Sequence, residues 1–168
     1  MTIFAAFTLA GTEVRSAECL DLNRISANVP PPELAQDIRN CIENGNFAPA
    51  MQLFYIYSSY ALFDQQRVRD DSAHIVLSES RQWIFGGWNA TVMAGLRDVA
   101  AAMRQADDPV LLQVCRWLWD NGPPNYRPGY MIIRGMIPRR TDDDWMTPDF
   151  DPQRAWARAL HEVNNCPR

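Results

Sequence analysis

The stretch "NFAPAMQLFYIYSSYALFDQQRVRD", residues 46–70, decides the fold. Asn46 is a helix-capping residue type, and behind it Met51, Leu53, Phe54, Tyr57, Ala61 and Leu62 recur at helical spacing. They cover more than one side of a helix predicted from 47 to about 69. A helix that is apolar on several sides must be covered on several sides, so this one is expected at the centre of the molecule.

Working outward, Pro30, Pro31 and Pro32 open a short amphipathic helix that carries Leu34, Ile38, Cys41 and Ile42 and ends at Gly45. Downstream, Asp70, Asp71 and Ser72 offer caps for a third helix with Ala73, Ile75, Val76, Leu77, Trp83 and Ile84, broken at Gly86 and Gly87. Asn89 caps a fourth, in which Val92, Met93, Leu96, Val99, Ala100 and Met103 keep the helical period. Asp107, Asp108 and Pro109 start a fifth, with Leu111, Leu112, Cys115, Leu118 and Trp119 inward and Gly122 as its stop. Asp151 and Pro152 begin the last, with Ala155, Trp156, Ala159, Leu160 and Val163 inward, ending at Cys166. The class is all-α: a single compact domain of about six helices packed as antiparallel pairs, with a long Pro-rich irregular segment, 121–150, before the last helix.

At 168 residues and 47% hydrophobic, the chain suits one domain with its own core. All 16 basic residues are arginine. The absence of lysine excludes a P-loop lysine, a Schiff-base lysine and a serine–lysine dyad. A net charge of −4, with the arginines scattered among acids, argues against nucleic acid as a partner. The opening run "MTIFAAFTLAG" is too short for a membrane span. Residues 1–17 read as a signal peptide or its remnant and 18–168 as the helical domain; with no positive n-region before Ile3, a buried strand or helix is the alternative. Glu18 before Cys19 makes a poor lipobox, so no stable membrane anchor is expected.

Cys19, Cys41, Cys115 and Cys166 form an even set without a C-x-x-C, which fits two disulfides and an oxidising compartment, periplasmic or secreted. The favoured pairing is Cys19 with Cys41 and Cys115 with Cys166, because each ties a loose end to a helix. Four free thiols in a cytosolic protein are the alternative.

Asp70, His74 and Ser78 follow one helix row and have the residue types of a nucleophilic triad, but no G-x-S-x-G or comparable oxyanion element accompanies them. A polar row with local hydrogen bonds is the preferred reading. His161 stands beside Glu162 without an H-E-x-x-H. Asp142, Asp143 and Asp144 with Asp149 and Asp151 lack the glycine turn and closing glutamate of a calcium loop. No catalytic residues, metal site or cofactor are expected.

In the irregular segment, "NGPPNYRPGYMIIRGM" (121–136) stiffens the backbone with prolines. The stretch 130–133 is expected to cap the core, while Arg139, Arg140, Asp142, Asp143, Asp144 and Trp145 are expected to stand in solvent as a partner-binding surface.

In general plan the chain resembles the small exported helical immunity proteins of Gram-negative bacteria: an acidic helical domain, a signal-like run at 1–11 and paired cysteines. The stretch "GPPNYRPGYMIIRGM" also looks like a signature of small exported proteobacterial proteins. The first resemblance implies a non-enzymatic protein whose partner is another protein, such as a cognate toxin, blocked by occlusion. A small secreted hydrolase using Asp70, His74 and Ser78, or a structural module of envelope assembly, is the alternative.

Overall fold

A computed structural model describes residues 18–105, 107–136 and 144–167. The chain runs through α1 (Pro31–Glu43), α2 (Phe47–Arg67), one turn of 3-10 helix (Asp71–His74), α3 (Ile75–Phe85), α4 (Ala90–Ala102), α5 (Pro109–Asn121), the single-turn α6 (Gly129–Ile132) and α7 (Pro152–Asn164). Among the described residues there are no strands; one isolated antiparallel bridge joins Val68 to Met146. No described helix is long and apolar enough to cross a membrane.

The fold is all-α and compact, with α2 at its centre. It packs against α1, α4, α5 and α7, while α1 also meets α3 and α5 meets α7. Leu53, Ile56, Tyr57, Tyr60 and Phe63 of α2 are buried together with Leu34, Ile38 and Cys41 of α1. Tyr60 and Phe63 each set their rings 5.8 Å from Trp156 of α7, and Phe63 meets Phe150 edge-on at 5.6 Å. These are favourable aromatic separations, which fix α7 across α2.

Helix ends follow the side chains expected of them. Asn89 accepts from Val92 N–H, Asp108 from Val110 and Leu111 N–H, and Asp151 from Gln153 and Arg154 N–H. Gly45, with φ of 71°, turns the chain from α1 into α2, and its N–H donates to Ile42 O at 3.0 Å. Asn46 makes no side-chain cap at α2.

Both disulfides are formed, Cys19–Cys41 and Cys115–Cys166, and no described cysteine is free. They span 22 and 51 residues, separations at which chain entropy gives ~3 to ~4 kcal/mol each.

Four side chains depart from the sequence reading. Trp119 was expected inward but is 37% exposed, because Val114 lies on the buried side of α5 with Leu111, Cys115 and Leu118. Ile75 and Trp83 are exposed on α3, which covers the molecule from outside and buries only Leu77 and Ile84. Ile133 follows α6 and points outward, whereas Met131 and Ile132 before it are buried.

Candidate functional site

The chemically most unusual place in the molecule is the C-terminal end of α2. Asp64 follows Tyr60 by one turn, so the helical period carries it onto the buried face, where its exposure is 0%. A carboxylate without water has to find donors elsewhere. Arg67, one turn further, donates from Nε to Asp64 Oδ1 at 2.8 Å. Its Nη2 also lies 2.6 Å from that oxygen but off the hydrogen-bond axis, so this second approach is a charge contact rather than a directed bond. The other oxygen, Oδ2, accepts from the hydroxyls of Tyr126 at 2.9 Å and Tyr130 at 2.7 Å.

Those two tyrosines belong to the proline-rich stretch 121–136, which is therefore fastened to the core through one carboxylate. The Arg67 guanidinium lies 5.0 Å over the rings of both Phe63 and Tyr126, which fills its remaining faces. Burial pushes the Asp64 carboxyl up, against the opposing pull of Arg67 and the two hydroxyls. Burial, and then the neighbouring Asp64 charge, push Tyr126 and Tyr130 well above the ordinary phenol value. Asp64, Arg67, Tyr126 and Tyr130 line none of the three grooves bordered by Trp119, by Thr147 and by Tyr55, and together they clamp the 121–136 stretch to α2.

The clamp positions a surface. After α6 the backbone at 133–136 runs along the 3-10 turn and the start of α3. Arg134 bridges to Glu79 at 2.6 Å, and Met136 N–H donates to Ser72 Oγ at 2.9 Å. Gly135 lies so close to the Asp70 carboxylate that a Cβ there would collide with it. Held in this way, the strip turns Ile133 (74% exposed) and Met136 (82%) to solvent, beside Ile75 (53%), which shares a helix face with Glu79.

From Asp144 the chain lies at the same corner. Trp145 O accepts from Arg69 N–H at 2.9 Å, Thr147 N–H donates to Arg67 O at 2.8 Å, and Thr147 Oγ1 donates to Gln66 O at 3.0 Å. Arg139, Arg140, Asp142 and Asp143 lie outside the described residues. Asp144 is half-buried, and so is Trp145, against the expectation that it stands clear of the core. The Arg127 guanidinium lies 6.0 Å over the indole, and the ring packs against the core. The pairing of Val68 with Met146 draws the preceding Trp145 onto the protein.

Asp70, His74 and Ser78 are not brought together as a triad. Asp70 Oδ1 accepts from Ser72 N–H, His74 Nε2 bonds to Val68 O at 3.1 Å, and Ser78 Oγ donates to Ile75 O at 2.8 Å. His161 is exposed on α7, at the edge of an open groove of about 1010 Å³ that also includes Trp119, Arg154 and Arg158. Asp149 adopts a left-handed conformation (φ 56°), and Asp151 is occupied as a helix cap. Among the described residues no three His, Cys, Asp or Glu side chains are grouped so as to hold a metal ion.

Sequence reading missed the Asp64 clamp. Its signal was present: a lone carboxylate on the face that carries Leu53, Tyr57 and Tyr60, with an arginine three residues on, requires buried donors from elsewhere. No protein-family model, curated protein or solved structure matches the chain.

Proposed function

We propose that the chain is a non-enzymatic protein-binding protein of an oxidising compartment, periplasmic or secreted. Its type is that of an immunity protein, which neutralises an antibacterial effector by covering its active site or docking surface. The observation that carries this reading is the outward placement of Ile133 and Met136 on a backbone fixed by the Asp64 clamp and by Ser72. Large apolar side chains displayed on held backbone lose little entropy when covered, which favours association over solvent exposure. The nearby charged residues Arg139, Arg140, Asp142 and Asp143, with Asp144 and Trp145, are proposed as further partner contacts. Two disulfides fit an oxidising compartment. The hydrolase reading draws no support from the bonds of Asp70 Oδ1 to Ser72 N–H, His74 Nε2 to Val68 O and Ser78 Oγ to Ile75 O.

The test is co-production with a toxic effector encoded beside the gene. Wild-type protein is expected to restore growth, and the double variant Ile133→Asp, Met136→Asp to fail while keeping both disulfides and the wild-type melting temperature. Full protection by that variant, or no protection by the wild type against any adjacent gene product, contradicts the proposal.

A further inference from the structure

The groove between the end of α5, the exposed face of α7 and the tail 165–167 is separate from the 133–136 surface and shares no residue with it. Among the described residues its lining holds Arg154, Arg158 and His161 and no aspartate or glutamate, the acids Asp149 and Asp151 bordering these arginines from the adjoining groove, on a chain whose net charge is −4. Its largest apolar side chain is Trp119, whose indole N–H donates to Pro167 O at 3.0 Å and is held in place by that bond. The tail that forms one wall is fixed by the Cys115–Cys166 disulfide and by Asn164, which donates to Ser59 Oγ at 2.9 Å. Arg158 shares its charge with Glu162 at 2.6 Å, so Arg154 is the stronger anchor for an incoming anion.

We infer that this groove docks an extended acidic peptide segment of another protein, its carboxylates pairing with Arg154 and Arg158 and an apolar or aromatic side chain lying on Trp119. The volume of about 1010 Å³ is at the upper end for a single small ligand, which suits a peptide segment. An anionic bilayer fits less well, because a concave site on a protein of net charge −4 is held away from a flat negative surface. A cationic groove on an acidic protein selects its occupant by charge, and salt should weaken that selection.

The experiment is fluorescence anisotropy with a labelled peptide of alternating glutamates around one phenylalanine, compared with the same peptide carrying glutamine in place of glutamate. The glutamate peptide is expected to bind at low salt and to be released as salt rises. The glutamine peptide, and the Arg154→Glu and Trp119→Ala variants, are each expected to bind about tenfold more weakly. Arg97→Glu changes net charge equally on the exposed side of α4 and is expected to leave affinity within about twofold. Circular dichroism melts and non-reducing mass spectrometry confirm that each variant is folded and oxidised. Equal binding of the glutamine peptide, equal loss with Arg97→Glu, absence of binding, or capture of phosphatidylglycerol vesicles instead of the peptide overturns the inference. Any of these leaves the Ile133 and Met136 surface untouched, so the two readings fail separately.

Discussion

At the scale of single residues, Asp64 has the largest consequences. It is fully buried, and removing it leaves the Arg67 charge and two tyrosine hydroxyls without their acceptor. Asp64→Ala is therefore expected to cost ~3–5 kcal/mol, because an unpaired buried charge remains. Tyr130→Phe removes one hydrogen bond to a charged group and is expected to cost ~1.5–3 kcal/mol. Urea titrations of the two variants check this ordering; a neutral effect of Asp64→Ala would mean that the clamp does not hold the segment. Alkali provides an independent probe of the same node. Tyr60, Tyr126 and Tyr130 have their hydroxyls raised chiefly by burial, so the folded state keeps protons that the unfolded chain releases near pH ~10. Their contribution is fully present below that pH and is lost as pH rises, at up to ~1.4 kcal/mol per pH unit for each tyrosine. Tyrosinate absorbance of these three residues should appear together with unfolding, and titration near the free-phenol value in still-folded protein would contradict the assignment. Asp64 is also raised, so its share is retained in acid and declines as pH rises through its folded value.

At the scale of elements, the segments before and after 137–143 are both fastened to residues 64–72, one through tyrosine hydroxyls and Ser72, the other through backbone bonds to Arg67 and Arg69. Trp145 is part of this fastening. Trp145→Ala is therefore expected to lower the melting temperature as well as any partner affinity, and a change in affinity alone would show that the indole is not packed as found. Ile133 and Met136 make the cleaner probes, because exposed apolar side chains can be exchanged with little effect on stability. The helices were legible in the sequence because period, caps and stops agreed: Asn89, Asp108 and Asp151 cap as their types require. Less legible was which apolar residues would be covered. Trp83 and Trp119 fit an inward reading of their helices, yet Trp83 is covered on one face only by the Arg39 guanidinium at 4.9 Å, and Trp119 borders the groove. Which side of an outer helix is buried depends on neighbours that local sequence does not name. The clamp was hidden for a similar reason, since its members lie 62 and 66 residues apart.

At the scale of the whole molecule, a central α2 with partners on several sides gives a core that the two disulfides close at either end of the chain. Cys19–Cys41 ties the segment before α1 to that helix, and Cys115–Cys166 ties the tail to α5. Reduction under native conditions is expected to lower stability by several kcal/mol in total, ~3–4 for each bridge, read as a drop in the urea midpoint. The cysteine pairing was legible because each bridge joins a terminal segment to a helix predicted nearby. The proposed surface compares with the sequence reading only in part: residues 139–143 fall outside the described residues, Ile133, expected to cap the core, is exposed, and Met136 carries no expectation from sequence. The central functional claim is that this held, outward-facing strip contacts a protein partner. The most direct measurement is isothermal titration of the purified adjacent effector with wild-type protein and with the Ile133→Asp, Met136→Asp variant. The account predicts a saturable complex with the wild type and at least ~2 kcal/mol of lost affinity in the variant at an unchanged melting temperature. Equal affinity of the two proteins would contradict it.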